Sequence, residues 1–337
     1  MKYLYVLTSC DSDYYFEQAL LSITSLRLQM PDAFISLLVD DSTEPNLTGK
    51  HGEILNLINE LKSVNIDKRF NIKARSRWLK TSMRRHIEGD FLFIDCDTVI
   101  ADDLSEIDSL NINLGAVLDQ HICLSILSNY SPVTFKKRQI FDKKLGFLST
   151  INSDLFFNSG VILCRDNAST HDFFKEWHRL WLYCFEKKSI KDQHSFNQAN
   201  YNLANVITEL PGNWNCQIVM DGSIKYLHDA RIIHYFANMY AKEENPFILA
   251  NRVIFEKIKY TGNVDKNIIN MLKNPKSHFA SNTRLVLIKE FEKSVTYSVI
   301  KKIFYSKIGI IIENIFSFVH IIIFKPIRKL FSKKELA

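Results

Sequence analysis

The chain has 337 residues, 46% of them hydrophobic, which is enough for one large domain with a substantial core, with or without an appendage. Its six cysteines are scattered and form no C-x-x-C pair, which argues against a disulfide framework or a zinc site and favours reduced thiols in the cytosol. The net charge of +6 matches that of residues 301–337 alone, which carry eight basic and two acidic side chains. A nucleic-acid groove across the main part of the chain is therefore not expected.

The first 120 residues alternate between short apolar runs and helical patterns. The pattern predicts strands at 3–7, 34–39, 91–95 and 115–118, and helices at 15–29, 52–62 and 77–88. The apolar run at the N-terminus is too short for a signal sequence, so we expect a first buried strand in a cytosolic protein. Alternation of this kind predicts an α/β fold, with a mainly parallel central sheet flanked by helices on both faces.

The second half is less regular. A turn and strand are expected at 155–164, helices at 168–187 and 191–201, and a late apolar run at 231–236 that His234 interrupts. We divide the chain into a main domain over 1–245, a helical extension over 246–295 and a tail over 296–337. The stretch 124–153 matches no pattern that we can interpret.

The tail is apolar from 303 to 324 and has lysines and arginines at both ends. Its polar exceptions gather into one stripe at helical spacing: Ser306, Lys307, Glu313, Asn314, Ser317 and His320. Such a helix favours the interface of a membrane over a span through it, because charged residues near the middle of a span are costly. A helix packed on the main domain is the other alternative. We predict peripheral association with a membrane surface.

Polar clusters follow three of the predicted strands, at residues 8–13, 40–41 and 95–97. Ligands of largely parallel sheets bind beyond the carboxyl ends of the strands, so these clusters predict one common site. The sharpest of them is Asp95-Cys96-Asp97, two carboxylates that follow an apolar strand. Carboxylate oxygens suit a hard divalent ion such as Mn²⁺ or Mg²⁺, which would neutralise a diphosphate. A motif of this type also occurs where an aspartate merely caps a neighbouring helix.

The order of these motifs over about residues 1 to 240 resembles glycosyltransferases of the GT-A fold. The resemblance is to family 8 and to related bacterial transferases that build lipopolysaccharide and capsule. It implies a GT-A fold (a Rossmann-like nucleotide-diphospho-sugar transferase fold) and a nucleotide-sugar donor.

The resemblance also implies roles for residues after the first strand and in the helix before the aspartates. The stretch from Thr8 to Tyr14 is similar to the nucleotide-binding turn of the family, in which Asp11 and Asp13 would bind base and ribose and Tyr14 would stack on uracil. Arg77 stands where the family has an arginine that contacts the donor and assists catalysis.

The metal site implied by the resemblance consists of Asp95, Asp97 and the late His234, with Mn²⁺ or Mg²⁺ as the cofactor. Cys96, between the two aspartates, belongs to the donor site. The pair Trp214-Asn215 resembles a W-N pair that precedes the last metal ligand.

Four further residues match motifs around the donor sugar. Asp119 and Asn158 would contact the donor, and Asp192-Gln193 matches a D-Q pair whose glutamine lies beneath the anomeric carbon. In the family a second aspartate often follows, whereas this chain has His194.

The phosphate clamp departs from the family pattern as well. Members often have Gly and Lys shortly after the histidine, but here the stretch 237–242 ends in Lys242 without the glycine. Lys242 is the residue of this stretch with the charge to bind the diphosphate.

The resemblance implies transfer of a hexose of the galactose or glucose type from a UDP-sugar to a hydroxyl of a cell-surface glycan, with retention. The acceptor would be a glycan or lipid-linked oligosaccharide at the inner face of the cell membrane. One alternative is a haloacid-dehalogenase-like phosphatase, since Asp95 to Val99 also fits its D-x-D-x-[T/V] motif. The other is a non-catalytic protein that binds nucleotide sugars.

Overall fold

The computed structural model describes residues 1–10, 12–218, 220, 223–237 and 245–279, together with the single residues Ser306 and Ile311. The strands are β1 Lys2–Leu7, β2 Phe34–Asp40, β3 Glu60–Val64, β4 Phe91–Ile94, β5 Thr98–Ile100, β6 Leu114–Leu118, β7 Phe157–Cys164, β8 Thr208–Glu209, β9 Cys216–Gln217 and β10 Ile232–His234. The helices are α1 Tyr15–Gln29, α2 Ile72–Ser82, α3 Leu124–Tyr130, α4 Pro132–Leu145, α5 Ser149–Asn152, α6 Ala168–Glu186, α7 Gln193–Asn202, α8 Ile224–Leu227, α9 Arg252–Thr261 and α10 Lys266–Leu272.

A seven-stranded sheet forms the centre, in the order β3-β2-β1-β4-β7-β6-β8. The pairs β2–β3, β1–β2, β1–β4 and β6–β8 are parallel, and β7 runs antiparallel to both of its neighbours. A second, three-stranded sheet has the order β5-β10-β9. The predicted α/β architecture with a mainly parallel sheet is therefore confirmed.

The alternation of side chains along β1 explains the two helical layers. Tyr5 and Leu7 belong to one buried cluster together with Leu20 of α1, whereas Val6 belongs to the opposite cluster with Trp177 of α6. Because successive side chains of a strand point to opposite faces, an apolar run such as β1 needs cover on both sides. The central sheet is buried between helices for that reason.

One predicted helix, 52–62, is wrong. Residues 49–56 form a 3-10 helix and the following residues form the edge strand β3, in which Leu61 pairs with Leu37 of β2. The strand is only half-buried and its Glu60 accepts hydrogen bonds from Lys2 and Ser36. Tertiary pairing thus overrides a local sequence that lacks the apolar alternation of a strand.

The helix predicted at 77–88 begins and ends earlier, as α2. Asn71 caps it by accepting a hydrogen bond from the backbone N–H of Ala74 at 3.0 Å. A side chain of this type at the N-cap is a common start signal, which the sequence analysis did not use. The shift places Arg77 in the middle of the helix and Lys80 in its last turn.

The chain divides into a compact unit over 1–285 and a second unit over 286–337. Side chains from the segment that we separated as a helical extension lie in the core of the first unit, among them Phe247, Phe255 and Ile258. The domain boundary that we place at residue 245 stays a prediction. Within the described residues no helix combines the length and the apolar character needed to cross a bilayer. The tail lies outside those residues except for Ser306 and Ile311.

Candidate functional site

Asp95-Cys96-Asp97 forms the short connection between β4 and β5. The backbone N–H of Asp95 donates to the carbonyl of Gly160 on β7 at 2.7 Å, which extends the sheet to the first aspartate. The Cys96 thiol donates to the carbonyl of Val6 at 3.4 Å. Burial raises the pKa of this thiol well above its usual range, so it stays neutral. Cys96 thus anchors to β1 the turn that carries Asp95 and Asp97.

His234 joins the two aspartates through the second sheet. Its strand β10 runs antiparallel to β5, in a register that pairs His234 with Thr98, directly after Asp97. The imidazole Nε2 lies 3.3 Å from a carboxylate oxygen of Asp97. One ligand atom each from Asp95, Asp97 and His234 lies within 4.8 Å of the others. The predicted metal ligands therefore come together, although the third lies 137 positions after the second in the chain.

A chain of amides fixes the orientation of this imidazole. The backbone N–H of Gly160 donates to Oδ1 of Asn158 at 2.9 Å, which identifies that atom as the oxygen. Asn215 then donates its Nδ2 to the same oxygen at 2.9 Å, so its own Oδ1 faces Nδ1 of His234 at 3.0 Å. Nδ1 therefore carries a proton, and Nε2 is the nitrogen that lies towards Asp97. Such a partner behind a metal-binding histidine fixes the orientation of its ring.

The position of His234 also depends on the absence of a side chain at residue 160. A Cβ atom on Gly160 would lie 2.4 Å from Cε1 and 2.8 Å from Nδ1 of the imidazole. Both are closer than non-bonded atoms approach. On its other side the imidazole stacks on Phe236, with ring centroids 4.0 Å apart and planes 7° from parallel. Glycine is thus required for the imidazole to lie in this slot.

The two aspartates differ in their affinity for protons. Burial tends to raise the pKa of Asp97, but the charge and hydrogen bond of His234 outweigh it and lower the pKa to about 2. For Asp95, burial is the largest cause and, together with the negative charge of Asp97, it raises the pKa against the opposing effect of Lys80. Asp97 is therefore the firmly ionised member. Oxygen and imidazole donors in this number and spacing fit a hard or borderline divalent ion such as Mn²⁺ or Mg²⁺.

Two basic residues of α2, Lys80 and Arg77, contact a third carboxylate, that of Asp192. Lys80 is 5% exposed and its Nζ lies 3.0 Å from both oxygens of Asp95 and 3.5 Å from Asp192. Arg77 lies 3.0 Å from Oδ1 of Asp192, and Ser159 donates at 3.1 Å to Oδ2, the oxygen that lies near Lys80. Burial would raise the pKa of Asp192, but Lys80 and Arg77 lower it. Sequence reasoning missed Lys80, although its spacing of three from Arg77 places both on one helix face.

Gln193 begins α7 directly after Asp192 and is half-buried. The backbone carbonyl of Asp192 accepts a hydrogen bond from the Trp177 ring at 3.2 Å, which holds the start of this helix. The next residue, His194, is buried, and its Nδ1 lies 2.5 Å from Asp142 of α4. The departure from the family pattern at 194 therefore creates a buried imidazole–carboxylate pair.

Asp119 follows β6 and is buried. It pairs with Arg138 of α4 and accepts a hydrogen bond from Nδ2 of Asn158 at 3.2 Å. Arg138 comes from the stretch that the sequence did not allow us to interpret. Through Asn158 this pair connects to the amides behind the metal ligands.

The turn after β1 is folded by its own aspartate. One oxygen of Asp13 accepts hydrogen bonds from the Ser9 hydroxyl at 2.7 Å and the Tyr15 N–H at 3.0 Å, and the other from the Cys10 N–H at 3.0 Å. Thr8, at the start of the turn, is buried. The structure therefore gives Asp13 a role in shaping the turn, and its contact with a ligand stays a prediction.

Tyr14 packs against α9. Its ring lies 6.1 Å from that of Phe255, and the Nζ of Lys259 lies 5.1 Å from its centroid. Lys259 also donates to the backbone carbonyl of Asp13 at 2.8 Å. The helix thus holds the turn from behind. Two other candidate residues, Asp11 and Lys242, lie outside the described residues.

Comparison with known proteins gives one family match and several solved structures that are similar to the chain. Residues 90–241 match the model of glycosyl transferase family 8. Mouse xyloside xylosyltransferase 1 in its apo form is 14% identical, with 71% of this chain and 99% of that one covered and a TM-score of 0.46. The galactosyltransferase LgtC, solved with donor and acceptor sugar analogues, is 14% identical, with 79% and 98% covered and a TM-score of 0.43. The glycosyltransferase GlyE of Streptococcus pneumoniae TIGR4 is 16% identical, with 84% and 66% covered and a TM-score of 0.44. No curated protein matches the chain significantly.

Proposed function

We propose that the chain is a family 8-like glycosyltransferase that moves a hexose from a UDP-sugar to a hydroxyl of a cell-surface glycan with the help of a divalent metal ion. The observation that carries the proposal is the convergence of Asp95, Asp97 and His234 within 4.8 Å, inside the segment that matches the family. The match favours a transferase over the phosphatase that the D-x-D-x-T motif also allows.

Asp95, Asp97 and His234 would hold Mn²⁺ or Mg²⁺. When bound, the ion would neutralise charge on the diphosphate of the donor. The amide chain from Gly160 to Asn215 supports this role, because it leaves Nε2 of His234 free to act as a ligand.

Arg77 is the cation best placed to assist the departing diphosphate. Its side chain is 37% exposed, so it reaches solvent at the edge of the site, whereas Lys80 is 5% exposed. Asp192 fixes the Arg77 guanidinium at 3.0 Å. A fixed positive charge beside the bond that breaks would stabilise negative charge as it develops in the transition state.

We propose that transfer retains the anomeric configuration. Gln193, at the start of α7, is a poor nucleophile, and the carboxylate of Asp192 is already held by Arg77, Lys80 and Ser159. These contacts favour attack of the acceptor on the same face that the diphosphate leaves, with the diphosphate taking the acceptor proton. NMR of the first product would test this, and an inverted anomeric centre would contradict it.

The tail gives the proposed location. Residues 303–324 form an amphipathic pattern with basic flanks, which suits the inner surface of a cell membrane where lipid-linked glycan acceptors would lie. Removing the residues after Ser294 should move the protein from the membrane fraction to the soluble fraction while donor hydrolysis continues. Unchanged partition would contradict the anchor.

The decisive experiment is calorimetric titration of UDP with and without Mn²⁺, on the natural chain and on Asp97→Asn. Binding should need the metal and should be lost in the variant. Asp67→Asn is the matched control, because Asp67 is 63% exposed and far from the aspartates in the chain. A panel of UDP-sugars with glycan acceptors would then identify the substrate. Metal-independent binding that survives in Asp97→Asn would overturn the metal assignment, and binding without donor hydrolysis or transfer would favour the non-catalytic alternative.

A further inference from the structure

Helix α4 has an outer face made of lysines and aliphatic residues. Besides Pro132 at its start, six residues of the helix are exposed, and they recur along one face at spacings of three and four: Val133, Lys136, Lys137, Ile140, Lys143 and Lys144. Val133 is 65% exposed and Ile140 is 47% exposed. We call these six residues the α4 outer face.

The inner face of the same helix is fixed to the site. Arg138 pairs with Asp119, and Asp142 binds His194 while accepting a hydrogen bond from Ser149 at 3.1 Å. Asp142 is the only acidic residue of α4, and it is buried. The outer face therefore combines four positive charges with aliphatic surface and carries no negative charge. The inner contacts hold it in one orientation.

Aliphatic exposure continues beyond the helix. Ile126 of α3, Leu148 directly before α5 and Ile151 of α5 are 50%, 45% and 54% exposed. Together with the two of α4, they make five of the eleven large hydrophobic residues that are exposed in the described part of the chain, all between residues 126 and 151. Single exposed aliphatic residues are normal on a soluble protein, but a concentration of them indicates a contact surface.

We propose that the α4 outer face docks on an anionic lipid surface. Lysines attract anionic headgroups, and aliphatic side chains between them enter the boundary between headgroups and acyl chains. A nucleic acid would use the lysines but would gain little from the aliphatic residues. The inference depends neither on the tail nor on the reaction. Docking would place the bilayer against the outer face of α4, whose inner face contacts Asp119 and His194.

A local probe separates this contact from binding by the tail. The variant Ile140→Trp in the full chain would be mixed with vesicles of phosphatidylglycerol and phosphatidylcholine that contain brominated lipid. Subtracting the fluorescence of the natural chain gives the fluorescence of the new tryptophan at position 140. Bromine in the lipid should quench that fluorescence. Val253→Trp is the matched control, because Val253 is 69% exposed on α9 and should show no quenching. Equal fluorescence of Ile140→Trp with and without bromine, in protein that sediments with the vesicles, would overturn the proposal.

The lysines are tested by changing Lys136, Lys137, Lys143 and Lys144 to Gln together. The partition coefficient for anionic vesicles should fall by about tenfold or more, since each lysine near an anionic surface adds attraction. The control changes four other lysines to Gln together: Lys73, Lys175, Lys266 and Lys273. All four are exposed and lie on or beside other helices. An equal loss in both variants, or undiminished quenching in the first, would refute docking through this face.

Discussion

Nδ1 of His234 lies 3.0 Å from Oδ1 of Asn215, and this contact determines which imidazole nitrogen is available to a metal. The amide cannot turn over, because its Nδ2 donates to Asn158, whose oxygen is identified by the backbone N–H of Gly160. All four residues lie on or next to strands of the two sheets. The site is therefore preorganised by backbone hydrogen bonding and not only by its ligands.

Asn215→Ala should weaken Mn²⁺ binding by about 10 to 100-fold, since partners behind a metal-binding histidine have effects of that size. The histidine would lose the acceptor that fixes its proton on Nδ1. Mn²⁺ affinity can be measured by electron paramagnetic resonance of the free ion in the presence of UDP. Asn113→Ala removes an asparagine contact at the surface and is the control, because Asn113 is exposed and pairs with Asn167. Equal affinity in both variants would mean that Asn215 does not orient the ligand.

Gly160→Ala should abolish metal-dependent UDP binding. The new methyl group would overlap the imidazole of His234, with Cβ 2.4 Å from Cε1, so the ligand has to leave its slot. Gly52→Ala is the control, since its nearest neighbour atom would lie 3.8 Å away. Calorimetry of UDP with Mn²⁺ measures the effect, and circular dichroism establishes whether the variant is folded. Normal binding in folded Gly160→Ala would exclude His234 as a ligand.

Lys80→Met should lower the free energy of unfolding by about 3 kcal/mol, because it removes the cation that lies between two largely buried carboxylates. The lysine is 5% exposed and contacts Asp95 and Asp192. Mn²⁺ should restore part of the loss, since the ion supplies positive charge at Asp95. Urea unfolding with and without Mn²⁺ measures both effects. Lys73→Met, an exposed lysine of the same helix, should change little. A loss in Lys80→Met that Mn²⁺ does not reduce would argue against a metal at Asp95.

His178 should make stability depend on pH between about 6.5 and 4. Burial, and the charges of Arg85 and His86, lower its pKa to about 4. Between these two pH values the unfolded chain takes up a proton that the folded chain does not, so stability falls as the pH falls. The loss approaches about 3 kcal/mol at pH 4. From pH 7 to pH 4 the free energy of unfolding of the natural chain should therefore fall by that amount relative to that of His178→Gln. A constant difference would contradict the assignment.

The sequence predicts the sheet well because its strands are apolar and bounded by polar residues. Helix α1 begins and ends where its pattern predicts, at Tyr15 and Gln29. The edge strand β3 was missed because Glu60 and Lys62 are stabilised by pairing with β2 and not by burial. Apolar periodicity indicates burial, so a half-buried edge strand without that periodicity is not predicted from it.

Some residues of the candidate site could be predicted from the sequence, and others could not. Asp95, Asp97 and His234 carry a recognisable motif, and the structure brings them together. Lys80 and Arg138 carry no motif, because a basic residue on a helix is usually solvated. Only the packing of α2 and α4 shows that each faces a carboxylate. Long-range electrostatic partners of this kind are set by tertiary structure and leave no local pattern.

Lys259→Met should weaken UDP binding by about tenfold without changing the rate of transfer from bound donor. Lys259 donates to the carbonyl of Asp13 and lies over the ring of Tyr14, so its removal loosens the turn expected to bind the nucleotide. The proposed transfer takes place at Asp95 and Asp97, whereas Lys259 contacts the turn after β1. Steady-state kinetics should therefore show a higher KM for the donor at nearly constant kcat, and Lys259→Arg should recover most of the affinity. Lys273→Met, on an exposed lysine after α10, should leave both constants unchanged. A fall in kcat at constant KM would mean that α9 acts on the reacting groups and not on the turn.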